Sequence, residues 1–186
     1  MSTSILPAHA EGEEYKVFYG LASPPTSYGG YGGNAKEDAK YTFEYPIYWK
    51  SEVVNKVSKG TQGVDGRVFN PRNKLEQAFV VTFGRAGEDN KSFKLTNIES
   101  TLAGFAGADY DLQDALTMLT EKRDSEHEID GQKYYDVEIV SPDIRYLMTF
   151  TVNMGKVYAF LVKSPTKLWA RNEESLRHIH QSFRTV

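Results

Sequence analysis

The side chains best suited to catalysis in this chain are its four histidines, His9, His127, His178 and His180. Nucleophilic catalysis needs a base beside the nucleophile, and that base is most often an imidazole. His178 and His180 are two residues apart in a predicted helix and point about 200° away from each other, so they cannot share a metal or a substrate. The sequence contains neither a Gly-x-Ser-x-Gly elbow nor a His-Glu-x-x-His motif. We therefore predict that the protein is not an enzyme.

A pH-sensing role is a separate hypothesis for the imidazoles of His178 and His180, because imidazole titrates near neutral pH. His180 lies beside an apolar stripe formed by Leu176, Ile179 and Phe183. A charge placed next to that stripe is expected to loosen the helix. The hypothesis predicts a stability that changes between pH 7.5 and pH 5.5.

Three carboxylates, Asp109, Asp111 and Asp114, lie within six residues and could bind Ca²⁺ or Mn²⁺ through their oxygens. The segment lacks the glycine and the distal glutamate of a calcium loop. Helix capping is the favoured alternative, because acidic residues in a first turn complement the helix dipole. Residues 126–128 (Glu-His-Glu) are a weaker metal candidate, because neighbours on a strand point to opposite faces.

An irregular segment at residues 20–40 is rich in tyrosine, glycine and proline. It cannot form a helix or a central strand, and it lacks the Lys-Ser/Thr of a phosphate loop. One interpretation, which we favour, is an ordered arm whose tyrosines pack on the domain. The other is a docking arm in which Tyr28, Tyr31 and Asn34 contact a partner, since tyrosine is enriched at protein interfaces.

A three-stranded antiparallel meander over residues 122–163 is the clearest structural pattern in the sequence. Asp130-Gly131 is a strong hairpin turn signal, and Tyr135, Val137 and Ile139 then alternate with polar residues. A second strand follows at residues 145–152. The third, residues 157–162, is apolar on both faces, which predicts a central strand covered on both sides.

The remaining elements are predicted from shorter patterns. Strands are expected at residues 15–19, 41–45, 53–57, 78–83 and 119–129, the last as a charged edge strand. Helices are expected at residues 95–105, from Asp111, and from Asn172 as an N-cap. Trp49 is expected to cover the core. Together these elements predict an α+β fold in which helices cover a central antiparallel sheet.

Length and composition exclude several classes of protein. A chain of 186 residues is most simply one domain, and a net charge of −3 gives no general attraction to nucleic acid. The absence of cysteine excludes disulfides and thiolate metal sites. No apolar run reaches 18 residues, so no membrane-spanning helix is predicted.

Several of these motifs resemble the PsbP family of thylakoid-lumen proteins. They are residues 131–135 (Gly-Gln-Lys-Tyr-Tyr), residues 155–158 (Gly-Lys-Val-Tyr), and a helix that contains Trp169 and closes on Ser182 and Phe183. The Pro46-x-x-Trp49 step is similar to the end of the first PsbP strand. These residues belong to the core and the turns, so they specify a fold better than a function.

The resemblance implies a PsbP-like α/β/α sandwich over residues 15–186, with residues 1–14 as a flexible terminus or targeting remnant ending near Ala8-His9-Ala10. The protein is then expected in the chloroplast thylakoid lumen, as a monomer peripheral to the membrane at most. Its expected role is that of an accessory or assembly factor contacting photosystem subunits, photosystem II above all, or other lumenal proteins. The lysine-rich docking arm of the photosystem subunit is not matched here, which argues against direct stabilisation of the manganese-calcium cluster of the oxygen-evolving complex. Two alternatives remain, a carrier of Mn²⁺, Ca²⁺ or a small ligand, and a Ran-binding protein of the same fold.

Overall fold

A computed structural model of the chain describes residues 14–21, 39–52, 64–84 and 110–186. The predicted strand at residues 53–57 and the predicted helix at residues 95–105 lie outside this part. The described elements are β1 (Tyr15–Gly20), β2 (Tyr41–Pro46), β3 (Lys50–Glu52), β4 (Val64–Asn70), β5 (Asn73–Gly84), α1 (Tyr110–Thr117), β6 (Glu121–Ile129), β7 (Gln132–Val140), β8 (Ile144–Asn153), β9 (Lys156–Pro165), α2 (Thr166–Gln181) and β10 (Arg184–Thr185).

Seven of the strands form one sheet in the order β3-β4-β5-β9-β8-β7-β6, and each described pair in it is antiparallel. The predicted meander corresponds to β7, β8 and β9. Its doubly apolar strand, β9, is the middle strand of the seven. Asp130 and Gly131 have φ angles of 51° and 82°, the positive values that a tight hairpin turn requires.

The alternation of side chains along β9 divides the hydrophobic core into two clusters. Val157, Ala159 and Leu161 join the cluster that includes α1, whereas Phe160 and Val162 join the cluster that includes α2. The face with α2 also carries a three-stranded sheet of order β1-β2-β10. The predicted α+β fold with its antiparallel sheet is therefore present. The predicted sandwich with helices covering both faces is not confirmed, because α2 shares its face with the small sheet.

The last helix begins earlier than the sequence predicts. It starts at Thr166, directly after β9 ends at Pro165, and Asn172 lies inside it. The N-cap prediction for Asn172 is therefore wrong. Its side-chain amide instead donates to both carboxylate oxygens of buried Glu76, at 3.1 and 2.9 Å.

Trp49 is 2 % exposed and lies in the α2-side cluster, as predicted. Phe43 of β2 joins the small sheet to the large one. Its ring lies 4.8 Å from Phe18 of β1 and 4.7 Å from Phe160 of β9, measured between centroids. The strand at residues 119–129 is the edge strand β6, again as predicted.

Candidate functional site: a polar groove beside the second helix

A groove of about 620 Å³ separates the C-terminal half of α2 from the hairpin of β6 and β7. It exists because α2 packs mainly over β8, β9 and β2, so the two outer strands extend past the helix. Its polar and charged lining includes Arg123, His127, Asp136, Glu138, Arg177 and His180.

The register of the hairpin explains why these side chains share one face. In the β6–β7 pairing, Ser125 lies opposite Asp136, and His127 lies opposite Tyr134. Residues directly opposite in an antiparallel pair point to the same face. Tyr134 belongs to the α2-side cluster, so His127 and Asp136 both point toward the helix.

Three of the groove's polar side chains and the buried Thr149 beneath them form one hydrogen-bonded chain. Nδ1 of His127 lies 2.5 Å from Oδ2 of Asp136. The hydroxyl of Thr149 donates to Oδ1 of the same carboxylate at 2.6 Å. Nε2 of His180 lies 2.8 Å from that hydroxyl and 3.0 Å from the carbonyl oxygen of Met148. We refer to His127, Asp136, Thr149 and His180 as the His–Asp–Thr–His network.

The network fixes where the hydrogens lie. Because the Thr149 hydroxyl gives its hydrogen to Asp136, it accepts from Nε2 of His180, and the Met148 carbonyl can also only accept. Nε2 of His180 therefore carries a hydrogen and cannot act as a base toward Thr149, which is itself 1 % exposed. This arrangement is suited to holding the helix on the sheet, and it does not activate a nucleophile.

Burial lowers the pKa of His180 below its ordinary value, although the negative charge of Asp136 acts to raise it. The positive charges of His127 and Arg177 also lower it. His180 resists protonation in the folded protein because its charged form would lose hydration and would lie near the positive charge of Arg177.

This pKa shift gives a first prediction. A histidine whose pKa is lower in the folded state takes up its proton more readily in the unfolded state, so stability is lost as the pH falls below about 6.5. We expect the free energy of unfolding of the wild type to fall between pH 7.5 and pH 5.5, with a contribution from His180 of at most about 1.4 kcal/mol per pH unit. Calorimetry of His180→Gln should show a flatter pH profile.

The matched control is His178→Gln. His178 is half-exposed, its Nε2 lies 2.7 Å from Oε1 of Glu44, and its ring stacks on Tyr15 at 3.7 Å. If His180→Gln and the wild type lose stability in parallel on acidification, His180 is not the pH-sensitive group.

A second network closes the other end of the groove around Glu138. Its carboxylate accepts hydrogen bonds from Arg145 at 3.0 Å and from Arg177 at 3.3 and 3.1 Å. Burial raises the pKa of Glu138, but the hydrogen bonds and charges of Arg177 and then Arg145 outweigh it and hold that pKa below its ordinary value. Both guanidinium groups also lie over the ring of Trp169, at 4.4 and 5.6 Å.

Of the sequence-predicted site residues, the two that the structure describes, Asp111 and Asp114, do not line the groove. Tyr28, Tyr31, Asn34 and Asp109 lie outside the described residues. Asp111 is in α1, where its carboxylate pairs with Nζ of Lys163 at 3.0 Å, and Asp114 is exposed.

Within residues 14–21, 39–52, 64–84 and 110–186, no group of three His, Asp or Glu side chains is arranged to hold a metal ion. Glu126 lies opposite Tyr135, on the face away from His127, as the strand alternation predicts. The Asp109–Asp111–Asp114 metal site stays a prediction.

Sequence reasoning missed the groove and the partners of its histidines. It treated His127 and His180 separately, and it did not consider Asp136 or Thr149. The signal for the first pairing was present, because the Asp130-Gly131 turn fixes the register that places His127 and Asp136 on one face. The contact with His180 depends on where α2 crosses the sheet, and no local pattern encodes that.

The architecture matches that of a known class of proteins. The solution structure of cyanobacterial PsbP (CyanoP) from Synechocystis superposes with a TM-score of 0.58, covering 92% of this chain and 92% of that chain at 17% sequence identity. At that identity the likeness establishes the fold alone. Among the described residues, no helix is long and apolar enough to cross a membrane.

Comparison of the sequence with known proteins identifies the family of the chain. The sequence model of the PsbP family matches residues 33–185, and the chain belongs to that family, as the motif resemblance predicted. It is 35% identical over 189 residues to "Thylakoid lumenal 19 kDa protein, chloroplastic" of Arabidopsis thaliana, covering 98% of this chain and 79% of the relative. It is 25% identical to "PsbP domain-containing protein 4, chloroplastic" of the same plant, covering 88% of this chain and 62% of that relative.

Proposed function

We propose that this PsbP-family protein is a non-enzymatic accessory or assembly factor of the chloroplast thylakoid lumen. In this role it acts through contacts with photosystem II, or with subunits on the way into it. The observation that carries the proposal is the 35% identity, over 98% of the chain, to a chloroplast protein named for the thylakoid lumen.

The chemistry of the groove supports recognition in preference to catalysis. Each histidine in the described part is held by a partner on the sheets: His127 by Asp136, His178 by Glu44, and His180 by Thr149. At the other end of the groove, Arg145 and Arg177 pair with Glu138. Such groups suit the polar rim of a protein interface, where they fix orientation and partner choice.

We assign the contact to the arm at residues 20–40, with Tyr28 and Tyr31 as anchors and Asn34 as a polar contact. In this proposal residues 15–186 are one domain, and residues 1–14 are a terminus or targeting remnant. A carrier of Ca²⁺ or Mn²⁺ is less well supported, because the Asp111 carboxylate pairs with Lys163. Ran binding is less well supported because the family match is to PsbP.

The proposal predicts that the protein can be cross-linked in thylakoids to a photosystem II subunit. We expect the double variant Tyr28→Ala/Tyr31→Ala to lose most of that product, because tyrosine anchors supply a large share of interface energy. The measurement is cross-linking of a tagged protein in isolated thylakoids, followed by identification of the captured subunit. His178→Gln, which changes α2 and leaves the arm intact, is the control and should retain the product.

A further inference from the structure

The outer edge of β6 is a long, regular strand edge with no neighbouring strand among the described elements. β6 stands at the end of the seven-stranded sheet. Its register with β7 runs unbroken from Glu121 opposite Val140 to Ile129 opposite Gln132. Natural sheet edges are normally protected by proline, a bulge or charge. Along this pairing β6 has neither proline nor a register shift, so its protection is charge.

The hairpin turn determines which backbone groups face outward. A two-residue turn with both φ angles positive places its flanking residues, here Ile129 and Gln132, in a hydrogen-bonded pair. Backbone hydrogen bonding to β7 then alternates along β6. The residues whose N–H and C=O groups point away from β7 are Lys122, Asp124, Glu126 and Glu128.

The side chains of the same four residues share the α1 face of the sheet, since Asp124 lies opposite Val137 and Glu126 opposite Tyr135. Three of the four are acidic. Lys122 pairs with Asp124 at 2.9 Å, whereas Lys133 reaches Glu126 only at 3.8 Å, and Glu128 is exposed. The edge is therefore negative toward its turn end. This edge repels the same acidic edge of a second molecule and attracts a strand that carries basic side chains.

On the α2 face of the sheet, the groove lies directly beside the same strand. Arg123, Ser125 and His127 point into the groove from β6. A strand added outside β6 would direct every second side chain toward the groove and the others toward the acidic row, which is how strand addition obtains both affinity and specificity.

From this geometry we propose that the outer edge of β6 is a docking site for an extended basic segment of a partner protein. The segment adds to the sheet as an eighth strand. Its Lys or Arg side chains alternate toward Asp124, Glu126 and Glu128, and its uncharged side chains lie toward the groove. This inference rests on the proposed function and supplies it with a second contact, separate from the tyrosine arm.

The first test uses a synthetic heptapeptide with lysine at alternate positions, threonine or valine between them, and a fluorescent label. Fluorescence anisotropy should show saturable binding to the full chain, and a peptide with glutamate in place of lysine should not bind. Glu126→Pro removes one outward N–H without disturbing the ladder to β7, and we expect it to weaken binding about tenfold or more. Glu126→Gln/Glu128→Gln should weaken binding several-fold and reduce its salt dependence.

Controls separate the edge from a general charge effect. Glu52→Gln changes an exposed acid on β3, the opposite edge of the sheet, and should leave binding unchanged. Hydrogen exchange in the wild type gives a readout that needs no variant. The peptide should slow exchange at the amides of Asp124, Glu126 and Glu128, and it should not slow the amides of Ser125 and His127, which already bond to β7.

Two results would overturn the edge site: equal binding of the lysine and glutamate peptides, or no change in exchange at Glu126 and Glu128. Its failure is distinguishable from failure of the proposed function. Capture of a photosystem II subunit without peptide binding leaves the accessory role standing and removes the β6 site. Peptide binding at β6 without capture of a photosystem II subunit leaves the β6 site standing and removes the accessory role.

Discussion

Replacing Phe183 with alanine is expected to lower the free energy of unfolding by about 3–5 kcal/mol. Phe183 is 1 % exposed and lies where α2, the small sheet and the large sheet meet. Its ring stacks on Phe160 at 4.9 Å and lies 5.9 Å from Tyr41 and 6.3 Å from Tyr134. Alanine leaves a cavity that these rigid rings cannot fill, and it frees β10, the strand that follows, from its position beside β2.

Thermal and denaturant unfolding measure this loss, which for a chain of this length corresponds to a melting temperature lower by roughly 6–20 °C. Met154→Ala is the control, because Met154 is apolar but 96 % exposed, and it should change stability by at most about 0.5 kcal/mol. Similar stabilities for the two variants would mean that Phe183 does not join the two sheets.

Replacing Glu76 with alanine is expected to lower the free energy of unfolding by about 3 kcal/mol. Glu76 is 1 % exposed, and its carboxylate accepts hydrogen bonds from the amide of Asn70 at 2.9 Å and the hydroxyl of Ser164 at 2.8 Å. The amide of Asn172 donates to both oxygens. Alanine removes every one of these acceptors, and buried donors without an acceptor are costly. The change therefore loosens α2 from β5 and β9.

The measurement is urea unfolding, with Glu121→Ala as the control. Glu121 is exposed on β6, so the free energy of unfolding of this control should stay within about 0.5 kcal/mol of the wild type. The free energy of unfolding of Glu76→Gln should lie between those of Glu76→Ala and Glu121→Ala. The glutamine side chain keeps one oxygen acceptor, but its NH₂ group faces other hydrogen-bond donors. If the free energy of unfolding of Glu76→Ala falls by less than about 1 kcal/mol, the side-chain donors of Asn70, Ser164 and Asn172 find other acceptors.

The meander could be predicted from the sequence because its signals are local. The Asp130-Gly131 turn fixes one register, and the alternation after it fixes which face of β7 is buried. The doubly apolar pattern of β9 predicted its central place. Each of these depends on neighbours within a few residues, and all agree with the structure.

The start of α2 was predicted wrongly because a local rule competed with a distant contact. Asn172 followed by two glutamates has the pattern of an N-terminus. In the structure its amide is instead committed to Glu76, 96 residues earlier in the chain. The helix starts at Thr166, and Pro165 at its N-cap position provides no side-chain hydrogen bond. The sequence therefore shows no capping residue at the true start.

The His–Asp–Thr–His network could be only half predicted for the same reason. His127 and Asp136 are related by a register that the turn sets, whereas His180 reaches Thr149 only because α2 crosses β8 at that point. The tyrosine arm and Asp109 lie outside the described residues, so their roles stay predictions. Composition does not encode the crossing point of a helix on a sheet.

The measurement that tests the central claim most directly is cross-linking of the wild-type protein in isolated thylakoids. We expect one specific photosystem II subunit as the main cross-linked product, recovered from lumenal and membrane fractions and reduced in Tyr28→Ala/Tyr31→Ala. Recovery of the protein from thylakoids with no photosystem subunit cross-linked to it, at any cross-linker length, would contradict an accessory role exerted through contact.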